Sequence, residues 1–220
     1  MTESRKVFVT GATGYIGSRL IPVLQSRGHR VTALTRESSK HKLTNGCNAV
    51  SGDALDGGSY RESLNGADTF IHLVGVSHPS PAKARQFVEI DMKSAQEAIR
   101  VAVEKRVGHF VYLSVAHPAP AMHAYINVRT RCEQTLKESG LNATILRPWY
   151  VLGPGHQWPY VLLPAYRVAE LLPATRASAL RLGLVRLPEM LQAMASVVSH
   201  PPDGVRVIEV PEIRRIGRNR

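Results

Sequence analysis

Short apolar runs alternate with longer stretches of mixed polarity along most of this 220-residue chain. The runs have the length of buried strands, and the stretches between them carry apolar residues at helical spacing. Because parallel strands are joined through helices that cover both faces of a sheet, this alternation is typical of βαβ units. It predicts an α/β domain with a doubly wound parallel sheet. The predicted strands fall at residues 7–9, 31–34, 49–50, 69–74, 110–113, 144–146 and 205–210.

Helical spacing is clearest in four stretches, which begin at Ile16 and at about residues 87, 125 and 188. Between residues 139 and 188 the alternation is interrupted by prolines and aromatic residues, and five arginines accompany a single acid. Such a stretch is typical either of core packing or of a ligand-pocket wall, and the sequence does not choose between them. We predict a single domain over residues 1–213, with a small substrate-side or lid region at 149–187 and a basic tail at 214–220.

The chain is strongly basic, with 28 Lys and Arg against 17 Asp and Glu and a formal net charge of +11. This charge favours solubility and attracts anions, but no basic helix with interleaved aromatics accompanies it, so we expect no specific nucleic-acid partner. No apolar run approaches the roughly 20 residues that span a bilayer, and we expect no membrane partner. The start of the chain lacks a signal-peptide core, and Cys47 and Cys132 lie far apart, which predicts reduced thiols in a cytoplasmic protein.

Candidate chemistry begins where the first predicted strand meets the first helix. There the chain reads Thr-Gly-Ala-Thr-Gly-Tyr-Ile-Gly over residues 10–17, with glycines three apart. Such glycines let the backbone turn tightly and approach a pyrophosphate, which the amides and dipole of the following helix N-terminus bind. Because a strand and a helix are both predicted around the motif, it indicates a dinucleotide site in a Rossmann fold. The residues predicted to bind at this turn are Gly11, Thr13, Gly14, Tyr15, Ile16 and Gly17.

The end of the second predicted strand bears on the choice of dinucleotide. An NAD site usually carries an acid here for the ribose 2′-hydroxyl, whereas a 2′-phosphate favours an arginine. Thr35 stands at that position and Arg36 follows it. We therefore predict NADP, with Arg36 at the 2′-phosphate. Glu37, one residue further on, is the competing candidate and would favour NAD.

These segments resemble the short-chain dehydrogenase/reductase superfamily, over about residues 5–213. The chain looks like its atypical NAD(P)-binding branch and is similar to NAD-dependent epimerase/dehydratase and NmrA-like proteins, although it is shorter than the extended sugar-nucleotide enzymes. Residues 52–54 resemble the segment that contacts the adenine ring, and residues 72–75 resemble the strand edge beneath the adenosine ribose. Residues 145–148 are similar to the segment that passes the nicotinamide. The resemblance implies that Asp53, Ala54, Val74, Gly75 and Pro148 bind the cofactor.

The catalytic set of this superfamily is Ser, Tyr and Lys, with Tyr and Lys four residues apart. The resemblance places Ser114 and Tyr125 at the first two positions, and Arg129 where the lysine would be. Residues four apart share a helix face, and a cation near Tyr125 would stabilise its phenolate. Arg129 could also bind the cofactor ribose, but an arginine does not readily lose a proton, so a lysine-type proton relay is not implied. Asp91 stands where many relatives carry an asparagine, which is a second departure.

Two classes of function follow. In the first, the protein is an NADP(H)-dependent oxidoreductase that transfers hydride to or from a small carbonyl or alcohol substrate, with Tyr125 as acid/base, Ser114 as polariser and Arg129 as cofactor anchor. A sugar-nucleotide epimerase or dehydratase is a variant of this class. In the second, the protein binds NADP without turnover, as a sensor or assembly factor. His117 and His123 flank a loop near the predicted cleft and would either contact substrate or lie exposed. We predict no metal site and a monomer or homodimer.

Overall fold

A parallel sheet of seven strands forms the centre of the structure, a computed structural model that describes residues 3–44, 46–155 and 163–218. The strands of this sheet are β1 (Lys6–Thr10), β2 (Arg30–Thr35), β3 (Asn48–Ser51), β4 (Thr69–His72), β5 (His109–Leu113), β6 (Ala143–Arg147) and β9 (Val205–Glu209), while β7 (Tyr150–Leu152) pairs with β8 (Leu184–Arg186) in a separate two-stranded sheet. The order in the large sheet is β3-β2-β1-β4-β5-β6-β9. Because the order reverses between β1 and β4, the sheet is doubly wound.

Helices cover both faces of this sheet. They are α1 (Gly17–Ser26), α2 (Ala84–Gln86), α3 (Lys93–Glu104), α4 (His123–Glu138), α5 (Leu163–Leu171), α6 (Pro173–Arg181), α7 (Leu187–Ser199) and α8 (Val210–Arg218). On one face, Leu20 of α1, Met194 of α7 and Ile213 of α8 belong to one buried apolar cluster. On the other face, Ala98 of α3 and Leu136 of α4 belong to a second cluster. The predicted doubly wound α/β fold is therefore confirmed, with a hydrophobic core on each side of the sheet.

The boundaries of two predicted elements differ in the structure. The fourth strand ends at His72 rather than at residue 74, because the chain then passes closely over Gly11 and leaves the sheet. The helix predicted at about 87–105 starts earlier, with α2, and runs through a π-helical segment at Phe87–Met92 into α3. A π-helical segment of this kind inserts extra residues into a helical turn and shifts the direction of the side chains that follow.

The predicted lid region is more regular than its prolines indicate. It holds β7, β8, α5 and α6, and its residues 156–162 lie outside the described part of the chain. Pro173 is the first residue of α6, a position where a missing N–H costs the helix no hydrogen bond. Proline therefore begins this helix instead of breaking it. Among the described residues, no helix combines the length and apolar character that a bilayer span requires.

The expected basic tail at 214–220 is helical as far as Arg218. The expectation followed from the run of arginines, but α8 buries Val210 and Ile213 beside α7. Arg218 Nε also donates to Glu189 Oε1 at 2.8 Å, which ties the last turn of α8 to α7. One apolar side is sufficient to hold a helix whose other side is charged.

Candidate functional site

The turn between β1 and α1 has a first position that only glycine fits. Gly11 has a φ of +74°, and a Cβ added there would lie 2.7 Å from the carbonyl carbon of Leu73. A Cβ at Gly17 would collide with the Gly11 carbonyl oxygen. The Gly14 N–H donates to that same oxygen at 3.0 Å, which closes the turn. The glycines therefore allow the tight strand-to-helix turn that the sequence predicts.

Backbone donors of this turn are available to a ligand. The N–H groups of Thr13 and Ile16 donate to no acceptor in the described part of the chain. Because α1 starts at Gly17, these groups lie at the positive end of its dipole. The turn therefore has the geometry that binds phosphate groups at a helix N-terminus.

A cavity of about 440 Å³ lies beside the turn, at the carboxyl ends of β1, β2, β3 and β4. Ligands of doubly wound sheets bind at this edge, where the strand order reverses. The predicted cofactor residues that line it are Gly11, Thr13, Gly14, Arg36, Asp53, Ala54, Val74 and Gly75. The predicted residues that do not line it are Tyr15, Ile16, Gly17, Ser114, Tyr125, Arg129 and Pro148. The structure thus brings the glycine turn, an arginine and an acid together in one cavity.

Arg36 and Glu37 have different surroundings at the end of β2. Arg36 is exposed at the cavity, and its guanidinium bonds to no acid among residues 3–44, 46–155 and 163–218. Glu37 accepts a hydrogen bond from Ser51 Oγ and lies 3.8 Å from Lys40 Nζ. The Glu37 carboxylate is therefore already paired, whereas the Arg36 cation is available to an anion.

Arg129 is held in a buried ion pair. Its Nη2 donates to Asp91 Oδ1 at 2.6 Å, while Nη1 donates to the Leu113 carbonyl oxygen at 3.0 Å and to the Tyr112 hydroxyl at 3.2 Å. The Asp91 carboxylate also accepts from the Val76 amide at 2.9 Å. Burial raises the pKa of Asp91, and the Arg129 cation and this amide oppose the rise. The guanidinium is therefore fixed in position by groups of the protein itself.

Tyr125 and Arg129 share a helix face, in accord with their spacing. The guanidinium carbon of Arg129 lies 5.1 Å from the centroid of the Tyr125 ring, within the range of a cation–π interaction. The half-buried Tyr125 ring also packs against Phe87, with 5.0 Å between ring centroids. A Cβ at Gly75 would collide with Arg129 Nη2, so Gly75 separates the cavity from this guanidinium. The Tyr–Arg pair therefore adjoins the cavity through Gly75.

Ser114 is bound to an acid that the sequence analysis did not identify. Its Oγ donates to Glu133 Oε1 at 2.5 Å, and both residues are buried. Arg147 pairs with both oxygens of this carboxylate, with Nε 3.0 Å from Oε1, and His117 Nε2 lies 3.5 Å from Oε1. Burial alone would raise the pKa of Glu133, but its bonds with Arg147 and Ser114 outweigh burial and lower the pKa. Glu133 is therefore an ionised carboxylate at neutral pH.

The predicted nicotinamide segment lies beside the end of β5. The Ser114 N–H donates to the Leu146 carbonyl oxygen at 2.8 Å, and the Ala116 N–H donates to the Pro148 carbonyl oxygen at 2.9 Å. Since β5 is the neighbour of β4, these residues occupy the strand ends next to the cavity. Pro148 and Ser114 are thus close to each other but outside the cavity lining.

A neutral histidine connects the base of the glycine turn to α3. His72 Nδ1 lies 2.9 Å from Thr10 Oγ1, and its Nε2 lies 3.4 Å from Ser94 Oγ. Burial and the nearby Arg129 charge lower the pKa of His72 to about 3, so the ring is uncharged at neutral pH. Its two nitrogens therefore act as one donor and one acceptor between the two hydroxyl groups.

The two histidines predicted near the cleft lie in different surroundings. His117 lies near Glu133, whereas His123 is the exposed first residue of α4. Within the described ranges, no three potential metal ligands come together.

Comparison with known proteins links this geometry to dinucleotide binding. A family model described as NAD(P)H-binding matches residues 11–164. A ceramide reductase from Caulobacter vibrioides is 24% identical over 220 residues, covering 98% of this chain and 68% of the relative. The photosystem II assembly factor Ycf39 from Cyanophora paradoxa is 28% identical over 145 residues, covering 64% of this chain and 44% of the relative. This chain thus spans about two thirds of the first relative's length and less than half of the second's.

Solved structures support the fold. The Bordetella bronchiseptica enzyme WbmH in complex with NAD⁺ superposes with a TM-score of 0.69 at 20% identity, covering 97% of this chain and 79% of that one. MoeE5 in complex with UDP-glucose and NAD superposes with a TM-score of 0.69 at 21% identity, covering 94% of this chain and 79% of that one. At these identities the likeness establishes the α/β architecture and leaves the reaction open.

Proposed function

The chain belongs to the NAD(P)H-binding family, and from this we propose that it is an NADP(H)-dependent oxidoreductase of the short-chain dehydrogenase/reductase type. The proposed reaction is hydride transfer to or from a small carbonyl or alcohol substrate. Such a reaction suits a family whose relatives include a ceramide reductase and a 3-beta-hydroxysteroid dehydrogenase.

The observation that carries the proposal is the cavity at the carboxyl edge of the sheet. Thr13 and Gly14 of the glycine turn would hold the pyrophosphate, and Asp53 would contact the adenine. Arg36 would bind a 2′-phosphate, because its cation is exposed at the cavity while Glu37 is paired with Ser51 and Lys40. NADP is therefore the cofactor that these residues fit best, and NAD is the weaker candidate.

When bound, the nicotinamide cofactor supplies or accepts the hydride. We assign the accompanying proton to Tyr125. In reduction, the Tyr125 hydroxyl would give its proton to the carbonyl oxygen of the substrate, and in oxidation the Tyr125 phenolate would take the proton of the alcohol. The Arg129 cation, 5.1 Å from the ring centroid, would stabilise the negative charge left on Tyr125. Because Arg129 is bound to Asp91, it acts as a fixed charge and does not carry the proton.

A second candidate function is NADP binding without turnover. The observation in its favour is that Ser114 and Arg129 are both held by buried carboxylates, and that neither they nor Tyr125 line the cavity. A relative described as a photosystem II assembly factor makes a non-catalytic role a reasonable alternative. In this reading the chain senses the dinucleotide or assists assembly, and the Tyr–Arg pair is structural.

Replacing Tyr125 with phenylalanine distinguishes the two functions. With a panel of aldehydes, ketones and alcohols, we expect the unaltered protein to turn over NADP(H) and Tyr125→Phe to lose about 100-fold or more in kcat, the usual contribution of a general acid. NADPH affinity should stay unchanged, because Tyr125 does not line the cavity. Stopped-flow consumption of NADPH and a binding titration measure the two quantities.

Two outcomes would contradict the proposed catalytic function. NADPH binding without turnover of any substrate in the panel would favour the non-catalytic function. Turnover of the panel that survives in Tyr125→Phe would contradict the role of Tyr125 as the acid/base.

A further inference from the structure

The α5–α6 hairpin, defined as residues 163–181, presents apolar side chains to solvent. Val168, Leu171 and Leu172 are 58%, 82% and 52% exposed, and all three fall within five residues of one another. The other large apolar residues with more than a third of their surface exposed in the described chain are Val88, Val103 and Val205, which lie in three separate elements. Scattered exposed valines are common on protein surfaces, whereas a contiguous apolar group marks an interaction site.

The hairpin is anchored to the body of the protein, so this apolar face is held outward. Arg181 Nε of α6 donates to the Pro118 carbonyl oxygen at 3.2 Å, and α6 packs against α8. On α5, the Tyr166 side chain is half-buried, whereas Leu171 at the end of α5 and Leu172 after it are exposed.

The segment that forms the hairpin is basic in sequence, because residues 163–181 contain three arginines and one acid. Arg176 is exposed on α6 and forms no ion pair with any residue that the structure describes. A helix pair with exposed leucines and basic residues has the composition of segments that lie at the boundary between lipid headgroups and acyl chains.

We propose that the outer face of the α5–α6 hairpin docks the protein on an anionic phospholipid surface. Leu171, Leu172 and Val168 would insert at the headgroup boundary, and Arg176 would bind lipid phosphate. A second copy of this chain is the poorer occupant, because it would bring two surfaces of the same positive charge together on proteins that each carry +11. Anionic headgroups supply the opposite charge.

This proposal revises the expectation that the protein has no membrane partner. That expectation rested on the lack of a long apolar run, which bears on segments that span a bilayer and not on helices that lie along its surface. The proposal does not depend on the proposed oxidoreductase activity, and it can be tested without cofactor or substrate.

The test is co-sedimentation of the full chain with two kinds of vesicle, phosphatidylcholine alone and phosphatidylcholine with phosphatidylglycerol. We expect binding to the anionic vesicles that weakens as salt is raised. The double variant Leu171→Gln/Leu172→Gln should lower the partition coefficient about tenfold or more. Arg176→Glu should lower it about fivefold on anionic vesicles only.

The matched control is Val88→Gln/Val103→Gln, which changes two exposed valines away from the hairpin and should leave vesicle binding unaltered. All substituted side chains are exposed, and circular dichroism checks that each variant is folded. The proposal is overturned if neither vesicle sediments the protein, or if the control and hairpin variants bind equally well. It is also overturned if sedimentation equilibrium finds a dimer that only Leu171→Gln/Leu172→Gln dissociates, because the face would then belong to a second copy.

Discussion

The hydroxyl of Ser114 has one proton, and the buried Glu133 carboxylate accepts it at 2.5 Å. A hydroxyl that donates in this way presents only its oxygen lone pairs to a ligand. The expected role of Ser114 as polariser of a carbonyl requires the opposite polarity, with the proton directed at the ligand. As long as Ser114 donates to Glu133, it would not polarise a substrate carbonyl.

Arg36 is the residue on which the choice of cofactor depends. Because its exposed guanidinium has no acidic partner in the described chain, we expect it to bind a 2′-phosphate that NADPH carries and NADH lacks. Arg36→Ala should weaken NADPH binding about tenfold or more, the value of a charge-assisted hydrogen bond, and leave NADH binding within about twofold. Titration followed by intrinsic tryptophan fluorescence measures both affinities.

Arg131→Ala, on the exposed side of α4, is the matched control for the loss of one positive charge and should leave both affinities unaltered. Equal binding of NADPH and NADH by the unaltered protein would place the 2′-phosphate contact elsewhere. Failure to bind either dinucleotide would contradict the oxidoreductase proposal as a whole.

At the residue scale, the sequence predicts local geometry better than long-range partners. The glycine turn, Arg36 and Asp53 follow strand ends directly, so their place at one cavity could be inferred from strand positions alone. The contacts of Glu133 could not be inferred in this way, because they depend on which residues of β5 and β6 face α4. The available signal was its spacing, four residues after Arg129, which puts an acid on the inward face of that helix.

Among the elements, α8 shows how composition conceals a helix. Its three large apolar residues are matched by three arginines, so the segment resembles an unfolded tail in sequence. The packing partner that stabilises it is α7, which lies earlier in the chain and cannot be recognised from the α8 residues themselves. The central strands β1, β4, β5 and β6 were predictable for the opposite reason, since each is buried on both faces and bounded by turns.

Ile213→Ala tests whether α8 is part of the folded core. The Ile213 side chain is completely buried, so its truncation should lower the free energy of unfolding by about 3 kcal/mol. Ile216→Ala on the same helix is the matched control, because Ile216 is only partly buried and should cost clearly less. Urea denaturation measures both values. If neither variant lowers the free energy of unfolding measurably, this segment behaves as a tail in solution.

At the scale of the whole molecule, two neutral histidines are buried within the sheet, His72 at the end of β4 and His109 at the start of β5. His72 bridges Thr10 and Ser94, and His109 Nε2 lies 2.9 Å from Thr144 Oγ1. Burial and nearby arginine charges lower the pKa of His72 to about 3 and that of His109 to about 4. Both rings are therefore uncharged in the folded protein at pH values where an unfolded chain already binds their protons.

Acid should therefore destabilise this protein before its carboxylates titrate. The unfolded histidines take up protons below about pH 6.5 and the folded ones do not. Their contribution to the free energy of unfolding is therefore fully present above that pH and decreases as the pH is lowered. Between about pH 6.5 and pH 5 each histidine should cost about 2 kcal/mol of unfolding free energy. Urea denaturation across this range measures how steeply the free energy of unfolding falls with pH. His72→Gln should reduce this slope by about half, while His41→Gln, at an exposed position, should leave it unchanged. Stability that stays constant down to pH 5 would show that the two rings are protonated in the folded state.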